Sequence, residues 1–144
     1  GLFGLKKNKP ITKNVKQNSV NDFNLLDPFA FEHFIGDLFV KMGYFSKVTK
    51  KSNDGGIDIF AKLQTPTGTD EVIIQCKHKE DTNATVGVDK VRELFGVLSA
   101  NRKLTKGFLI TNGKFTSGAY DFANGKLIEL IDGTKLKGYV ELYS

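Results

Sequence analysis

From residue 28 the apolar positions repeat at a helical interval. At about 100° per residue, Phe31, Ile35, Leu38 and Met42 share one face, with His33, Asp37 and Lys41 opposite. Glu32 sits at the margin of the apolar face, near Ile35 and Phe39. Asp27 at the N-cap and Pro28 in the first turn open this helix, and Gly43 closes it. Three strand-like runs follow: Tyr44 to Lys50, Ile57 to Leu63 and Glu71 to His78. The second alternates, with Ile57, Ile59, Ala61 and Leu63 on one side and Asp58, Phe60 and Lys62 on the other. Ser52-Asn53-Asp54-Gly55-Gly56 is a turn signal, and Pro66 and Gly68 predict a loop over Gln64 to Thr69 between antiparallel strands.

The second half alternates helices and strands. A helix over about Val86 to Ala100 places Val88, Val91, Phe95 and Leu98 on one stripe. Gly107 to Thr111 reads as a buried strand. Thr116 caps a short helix ending near Gly125, Leu127 to Ile131 is a strand, and Asp132 caps a last helix to about Leu142. The predicted order is α-β-β-β-α-β-α-β-α. It describes an α/β fold with a mixed β-sheet of about five strands flanked by helices. Neither GxGxxG nor GxxxxGK[ST] occurs, so the two common nucleotide-phosphate loops are excluded.

Composition narrows the class. At 144 residues and 40% apolar content, the chain makes one folded domain. Residues 1–22 read as a basic, Lys/Asn-rich arm or linker, and residues 23–144 as the domain. The absence of an initiator Met suggests a fragment, a processed chain or a cloning remnant. The net charge of +5 is misleading, because the arm holds five lysines against Asp22 and leaves the domain near neutral. Global charge therefore argues little for nucleic acid. One Cys excludes an internal disulfide and a Cys-based zinc site, and two His exclude a His-rich metal site. No apolar run approaches the roughly 18 residues of a membrane span, and no secretory signal is visible, so a cytoplasmic location is expected.

Two places in the central strands break the apolar pattern. Asp58 lies between Ile57 and Ile59, and Gln75-Cys76-Lys77 follows Val72-Ile73-Ile74. A buried carboxylate and an amide–ammonium pair need partners, a cleft or a ligand. If the two strands pair as a hairpin, Asp58 lies opposite the end carrying Gln75 and Lys77. The Asp58 carboxylate and the Gln75 carbonyl are hard oxygen donors suited to Mg²⁺. Lys77 can position or help deprotonate a water, or offset charge on a phosphoryl group. Glu32 can reach the same place as an outer ligand. Singly, each has a plainer role: Asp58 buttressing the glycine turn, Lys77 at a strand edge, Glu32 on a helix surface. Cys76 reads as an inward-facing small residue, His78 as a strand-end residue and His33 as solvated. The joint pattern outlines metal-assisted phosphodiester hydrolysis.

The acid, the strand Asp and the Gln-x-Lys pair resemble the PD-(D/E)xK nuclease superfamily, and more narrowly the Mrr-type restriction endonuclease catalytic domain. The matching stretches are Phe31-Glu32, Leu38-Phe39, Gly43-Tyr44, Asp54-Gly55-Gly56-Ile57-Asp58 and Gln75-Cys76-Lys77. Val86-Gly87, Lys90-Val91, Gly107 to Thr111, Phe115-Thr116, Ala119 and Ile128 to Gly133 also fit. The resemblance implies a restriction-endonuclease-like core and a Mg²⁺-dependent DNA endonuclease, with Mn²⁺ as a substitute. It implies Asp58, Gln75 and Lys77 at the catalytic centre and Glu32 in support. Gln75 stands where most of the superfamily has an acid, which is usual for the Mrr type. Asp54 in the glycine turn reads best as an Asx turn residue.

Lys79, Lys90, Arg92, Lys114 and the Thr111-Asn112-Gly113 turn carry donors that suit DNA phosphates. Cutting both strands needs two sites, which a homodimer would supply. A recognition or tethering domain would lie outside these residues. The alternatives are a structure-selective nuclease such as a Holliday-junction resolvase, and a non-catalytic DNA-binding or assembly module on the same fold.

Overall fold

The computed structural model describes residues 23–49 and 56–144. The expected arm over 1–22, Asp54 and most of the glycine turn lie outside the described residues. Helix α1 (Pro28–Lys41) begins where the Asp27 carboxylate accepts the Ala30 N–H at 2.7 Å. Strands β1 (Phe45–Val48), β2 (Ile59–Thr65) and β3 (Gly68–Lys77) form an antiparallel meander. Two-residue strand β4 (Thr85–Val86) leads into helix α2 (Val88–Ser99), and strand β5 (Leu104–Thr111) returns beside β3. Then come β6 (Lys114–Phe115), α3 (Ser117–Ala123), β7 (Ile128–Ile131) and α4 (Gly133–Tyr143). Thr116 and Asp132 cap α3 and α4 as expected, accepting from Ala119 and Lys135 N–H.

The main sheet runs β1-β2-β3-β5-β7, with β3, β5 and β7 parallel. It is the mixed five-stranded sheet that the sequence predicts. Helices cover both faces of β3, β5 and β7, whose central residues are apolar on both sides. On one face Phe31, Ile35, Leu38 and Phe39 of α1 and Leu136 of α4 meet Ile59, Val72, Ile74, Ile110 and Ile131. On the other, Val91, Leu94 and Leu98 of α2 and Ala119 and Ala123 of α3 meet Ile73, Leu109 and Leu130.

Three local expectations are corrected. The strands run through the predicted loop, leaving only Pro66-Thr67 as the turn, because Thr65 pairs with Gly68 and Gly68 takes φ 152°. The buried stripe of α2 is Val91, Leu94 and Leu98; Phe95 is 36% exposed. Its ring instead meets Phe122 edge-on at 5.7 Å, with the Lys126 ammonium 5.5 Å away. A second, two-stranded parallel ladder of β4 and β6 was not foreseen, since two-residue strands leave no periodicity to read.

One charged cluster ties β5, β7 and α4 together. Glu129 accepts from Lys106 Nζ at 2.8 Å and Tyr139 Oη at 2.7 Å, with Lys135 Nζ at 3.0 Å. Burial pushes its carboxyl up, but the hydrogen bonds from Lys106, Tyr139 and Lys135 outweigh that and hold it at about 2. A carboxylate depressed on folding contributes stability above its unfolded value, lost as pH falls through its folded value. Glu129→Gln is expected to lower the unfolding free energy at pH 7 by about 1–3 kcal/mol, discounted for the half-exposed lysines. It should also flatten the stability loss between about pH 4.5 and pH 2. Urea unfolding at several pH values checks this; a mutant parallel to wild type down to pH 2 would contradict it.

Candidate active site

The site is built on a slip in the sheet. The β1–β2 ladder continues past its last pair, with the Thr49 N–H donating to the Asp58 carbonyl at 2.8 Å. The β2–β3 ladder does not: Asp58 N–H donates to the Ile74 carbonyl at 3.0 Å, one residue out of the Ile59–Ile74 register. The Asp58 carboxylate fills the vacated place, its Oδ2 accepting the Cys76 N–H at 2.6 Å. This is a bulge, and it re-aims the chain. Ile57 belongs to the core under α2 and α3, whereas Ile59 belongs to the core under α1 and α4. The predicted alternation from Ile57 is therefore corrected: regular β2 starts at Ile59.

The Asp58 carboxylate thus sits on the backbone amide between Gln75 and Lys77. Val72, Ile74 and Cys76 face α1, so Gln75 and Lys77 face the other way, in line with Ile73. Gln75 is fully buried. Gly56 at φ +79° lies against it; a Cβ there would stand 2.6 Å from Gln75 Nε2. Lys77 is half-buried at the end of β3.

Glu32 is only 6% exposed and approaches from the α1 side. The preceding residue is anchored by ring packing. Phe31 meets the His78 ring at 5.0 Å, and His78 Nε2 lies 3.3 Å from the Phe23 carbonyl. Burial pushes the Cys76 thiol well up, followed by the nearby Asp58 and Glu32 carboxylates, against a smaller opposing effect of Lys77. The thiol stays protonated, and thiolate chemistry is absent at neutral pH.

The donor set fits a hard divalent cation. Asp58 and Gln75 offer oxygens, and Mg²⁺ keeps waters or substrate phosphate in its remaining positions. Among the described residues no three His, Cys, Asp or Glu side chains gather as metal ligands. A cation here would draw on one carboxylate, Asp58, and one amide, Gln75.

The Thr111-Asn112-Gly113 turn takes a different part from the expected phosphate contact. Thr111 is 0% and Asn112 2% exposed. Asn112 Oδ1 accepts the Lys79 N–H at 2.7 Å and its Nδ2 donates to the Lys79 carbonyl at 2.8 Å and to Asn24. Thr111 Oγ1 accepts the Gly113 N–H at 3.0 Å. Asn112 holds the chain just beyond Lys77 to the end of β5; Lys79 is half-buried and Lys114 exposed. Sequence reading missed this clamp, although a Thr-Asn-Gly turn after an apolar strand is a recognisable side-chain-to-backbone motif.

Comparison with known proteins matches residues 12–140 to the restriction endonuclease family of Mrr catalytic domains. The chain is 33% identical over 121 residues to the type IV methyl-directed restriction enzyme EcoKMrr of Escherichia coli K12, covering 78% of this chain and 38% of that protein. Among solved structures, the DNA modification-dependent restriction endonuclease AspBHI superposes with a TM-score of 0.68 at 21% identity, over 94% of this chain and 36% of that one. MspJI restriction endonuclease, solved with a 27-mer oligonucleotide, gives 0.65 at 18% identity, over 91% and 31%.

Gly56→Ala is expected to cost about 1–2 kcal/mol, because it combines a left-handed backbone with a clash on the Gln75 amide. Urea unfolding and the Gln75 side-chain amide resonances check it. Unshifted resonances with unchanged stability would show that the Gln75 amide does not lean on this turn.

Proposed function

The chain belongs to the Mrr family of restriction endonuclease catalytic domains, and from that premise we propose that it hydrolyses DNA phosphodiester bonds at Asp58, Gln75 and Lys77. The observation that carries this reading is the Asp58 carboxylate bound to the amide between Gln75 and Lys77. The chain spans 38% of the length of its EcoKMrr relative, so the reading concerns the cutting chemistry. That relative is named as methyl-directed; a recognition domain elsewhere in the protein would set such a preference here.

Asp58 and the Gln75 carbonyl would hold a divalent cation, Mg²⁺ first and Mn²⁺ as substitute, with Glu32 as an outer acid. Bound there, the cation would polarise the scissile phosphate and lower the pKa of a water. Gln75 in place of an acid removes one negative charge, so Asp58 and Gln75 by themselves would hold a divalent cation weakly. Lys77 Nζ orients the attacking water and offsets charge gathering on the phosphoryl oxygens. The Cys76 N–H fixes the Asp58 carboxylate, so its geometry costs no reorganisation when DNA arrives. Lys79 and Lys114 reach outward to phosphates flanking the cut. Two copies of the domain, as a homodimer, would cut both strands.

Lys77→Ala is expected to reduce Mg²⁺-dependent cleavage by about 10²–10⁴-fold while DNA binding persists. Asp58 has two roles, and two substitutions separate them. Asp58→Asn keeps an oxygen for the Cys76 N–H, so it should fold normally and fail to cut. Asp58→Ala should also lose about 1–3 kcal/mol of stability, from the unpaired amide. Full cleavage by Lys77→Ala or Asp58→Asn, or by wild type in EDTA, would overturn the assignment. Lys114→Gln should lower the log–log salt slope of duplex binding by about 0.9; an unchanged slope removes Lys114 from the interface.

A further inference from the structure

Lys77 is the last residue of β3, and its partner Thr111 is the last of β5. The ladder that holds Lys77 therefore ends at Lys77. Beyond it, two bonds from one side chain take over. Asn112 Oδ1 accepts the Lys79 N–H at 2.7 Å, and Asn112 Nδ2 donates to the Lys79 carbonyl at 2.8 Å. A side chain that engages both backbone groups of one residue does what a neighbouring strand would do. Asn112 is itself fixed: it is buried, and the Thr111 hydroxyl closes the turn by accepting the Gly113 N–H. Gly113 lies so close to the same loop that a Cβ there would stand 2.5 Å from the Ala84 carbonyl oxygen, and the Lys114 N–H donates to that oxygen at 2.9 Å. The loop after Lys77 is thus tied to the β5 turn at Lys79 and again at Ala84.

The same amide reaches the segment that leads into α1. Its Nδ2 also donates to Asn24 Oδ1 at 3.1 Å. The neighbouring Phe23 is buried, with its ring 6.4 Å from Phe31 and 5.8 Å from Phe34, and its carbonyl lies 3.3 Å from His78 Nε2. His78 and Lys79, the two residues after Lys77, are therefore both joined to the lead-in of the helix that carries Glu32. A side-chain amide nitrogen has two protons, and here both are engaged, by Lys79 and by Asn24. Asn112 keeps no N–H for a phosphate, which sets it apart from Lys79 and Lys114.

We propose that Asn112 is a positioning residue for cleavage: by tying Lys79 to Asn24 it sets where Lys77 stands relative to Asp58 and Glu32, and it does not itself touch DNA. The inference rests on the nuclease reading above. The backbone that carries Lys77 is held on one side by the Cys76 N–H bond to Asp58 and on the other by this clamp. A lysine ammonium on a long stem is placed only as well as its backbone is. Without the clamp, Lys77 becomes the end of a fraying strand. A misplacement of about 1 Å in a reacting group costs about 10²-fold in rate.

The test uses the full 144-residue chain with duplex DNA. It reads the single-turnover rate at saturating DNA with Mg²⁺, the duplex Kd without metal, and hydrogen exchange of the Lys79 amide in the metal-free protein. Asn112→Ala should slow cleavage about 10- to 100-fold, leave Kd within about twofold and speed the Lys79 exchange. In a Lys77→Ala background it should slow the residual rate no further, because the two residues act as a unit. Asn112→Asp keeps the volume and an acceptor for the Lys79 N–H but loses both donations. It carries the same measurements, with the same expected directions, if the alanine variant does not fold. An unchanged rate overturns the inference. So does a Kd weakened in step with the rate, which makes Asn112 a DNA contact. An equal fractional loss in the Lys77→Ala background overturns it as well, since the clamp then acts on something other than Lys77. If wild type cuts, Lys77→Ala cuts poorly and Asn112→Ala cuts at full rate, only this inference falls; if wild type cuts no DNA, the nuclease reading falls and this one with it.

Discussion

The hydrogen bond from the Cys76 amide to the Asp58 carboxylate is the constraint on which the site depends. An antiparallel ladder normally closes on backbone carbonyls. Here the ladder slips by one residue at Asp58, and a side-chain oxygen takes the vacated place. A hydrogen bond to a charged acceptor contributes about 1.5–3 kcal/mol, enough to offset the loss of one regular pair. The slip also reverses the side on which Ile57 packs, so the turn holding Gly56 is drawn against Gln75. One substitution of β2 register by side-chain chemistry therefore positions the acid, the amide and the turn together. The site cannot be loosened without disturbing both halves of the core.

Electrostatics at this place are lean. Burial first, and then the Asp58 and Glu32 carboxylates, keep the Cys76 thiol protonated, against a smaller opposing effect of the Lys77 ammonium. Carrying an amide at position 75 limits the charge repulsion that three clustered acids would impose in the absence of a cation. Meanwhile Asn112 closes the far end of β3 onto β5 by holding both backbone groups of Lys79. Lys77 is thus bracketed by the bulge before it and the amide clamp after it, which limits the freedom of a side chain that otherwise has four rotatable bonds.

Much of this was legible in the chain. Helix α1, its cap and the strand order followed from Asp27-Pro28, from 3.6-residue periodicity and from apolar runs of strand length. The grouping of Asp58 with Gln75 and Lys77 followed from polar residues where a central strand should be apolar. What escaped reading was local and three-dimensional. The bulge at Asp58 leaves Ile57 and Ile59 looking like members of one alternating face, because period-two patterns carry no mark of a register slip. Phe95 seemed a core residue because hydrophobicity does not distinguish a buried ring from one meeting Phe122 edge-on beneath Lys126. Thr111 and Asn112 looked like ligand-facing donors, since polar turn residues and polar clamps share one composition.

The uneven cover of the sheet follows from the same topology. A parallel strand needs a crossover, and each crossover lays a helix on the sheet. Thus β3, β5 and β7, joined through α2 and α3, are closed on that side. The antiparallel β2–β3 pair is joined by a two-residue turn instead, so that connection brings no helix to the second face. A solvated face on such a meander is expected to be polar. Lys47 and Lys62 obey that rule, while Phe45 and Phe60 break it on the strand pair that leads to Asp58.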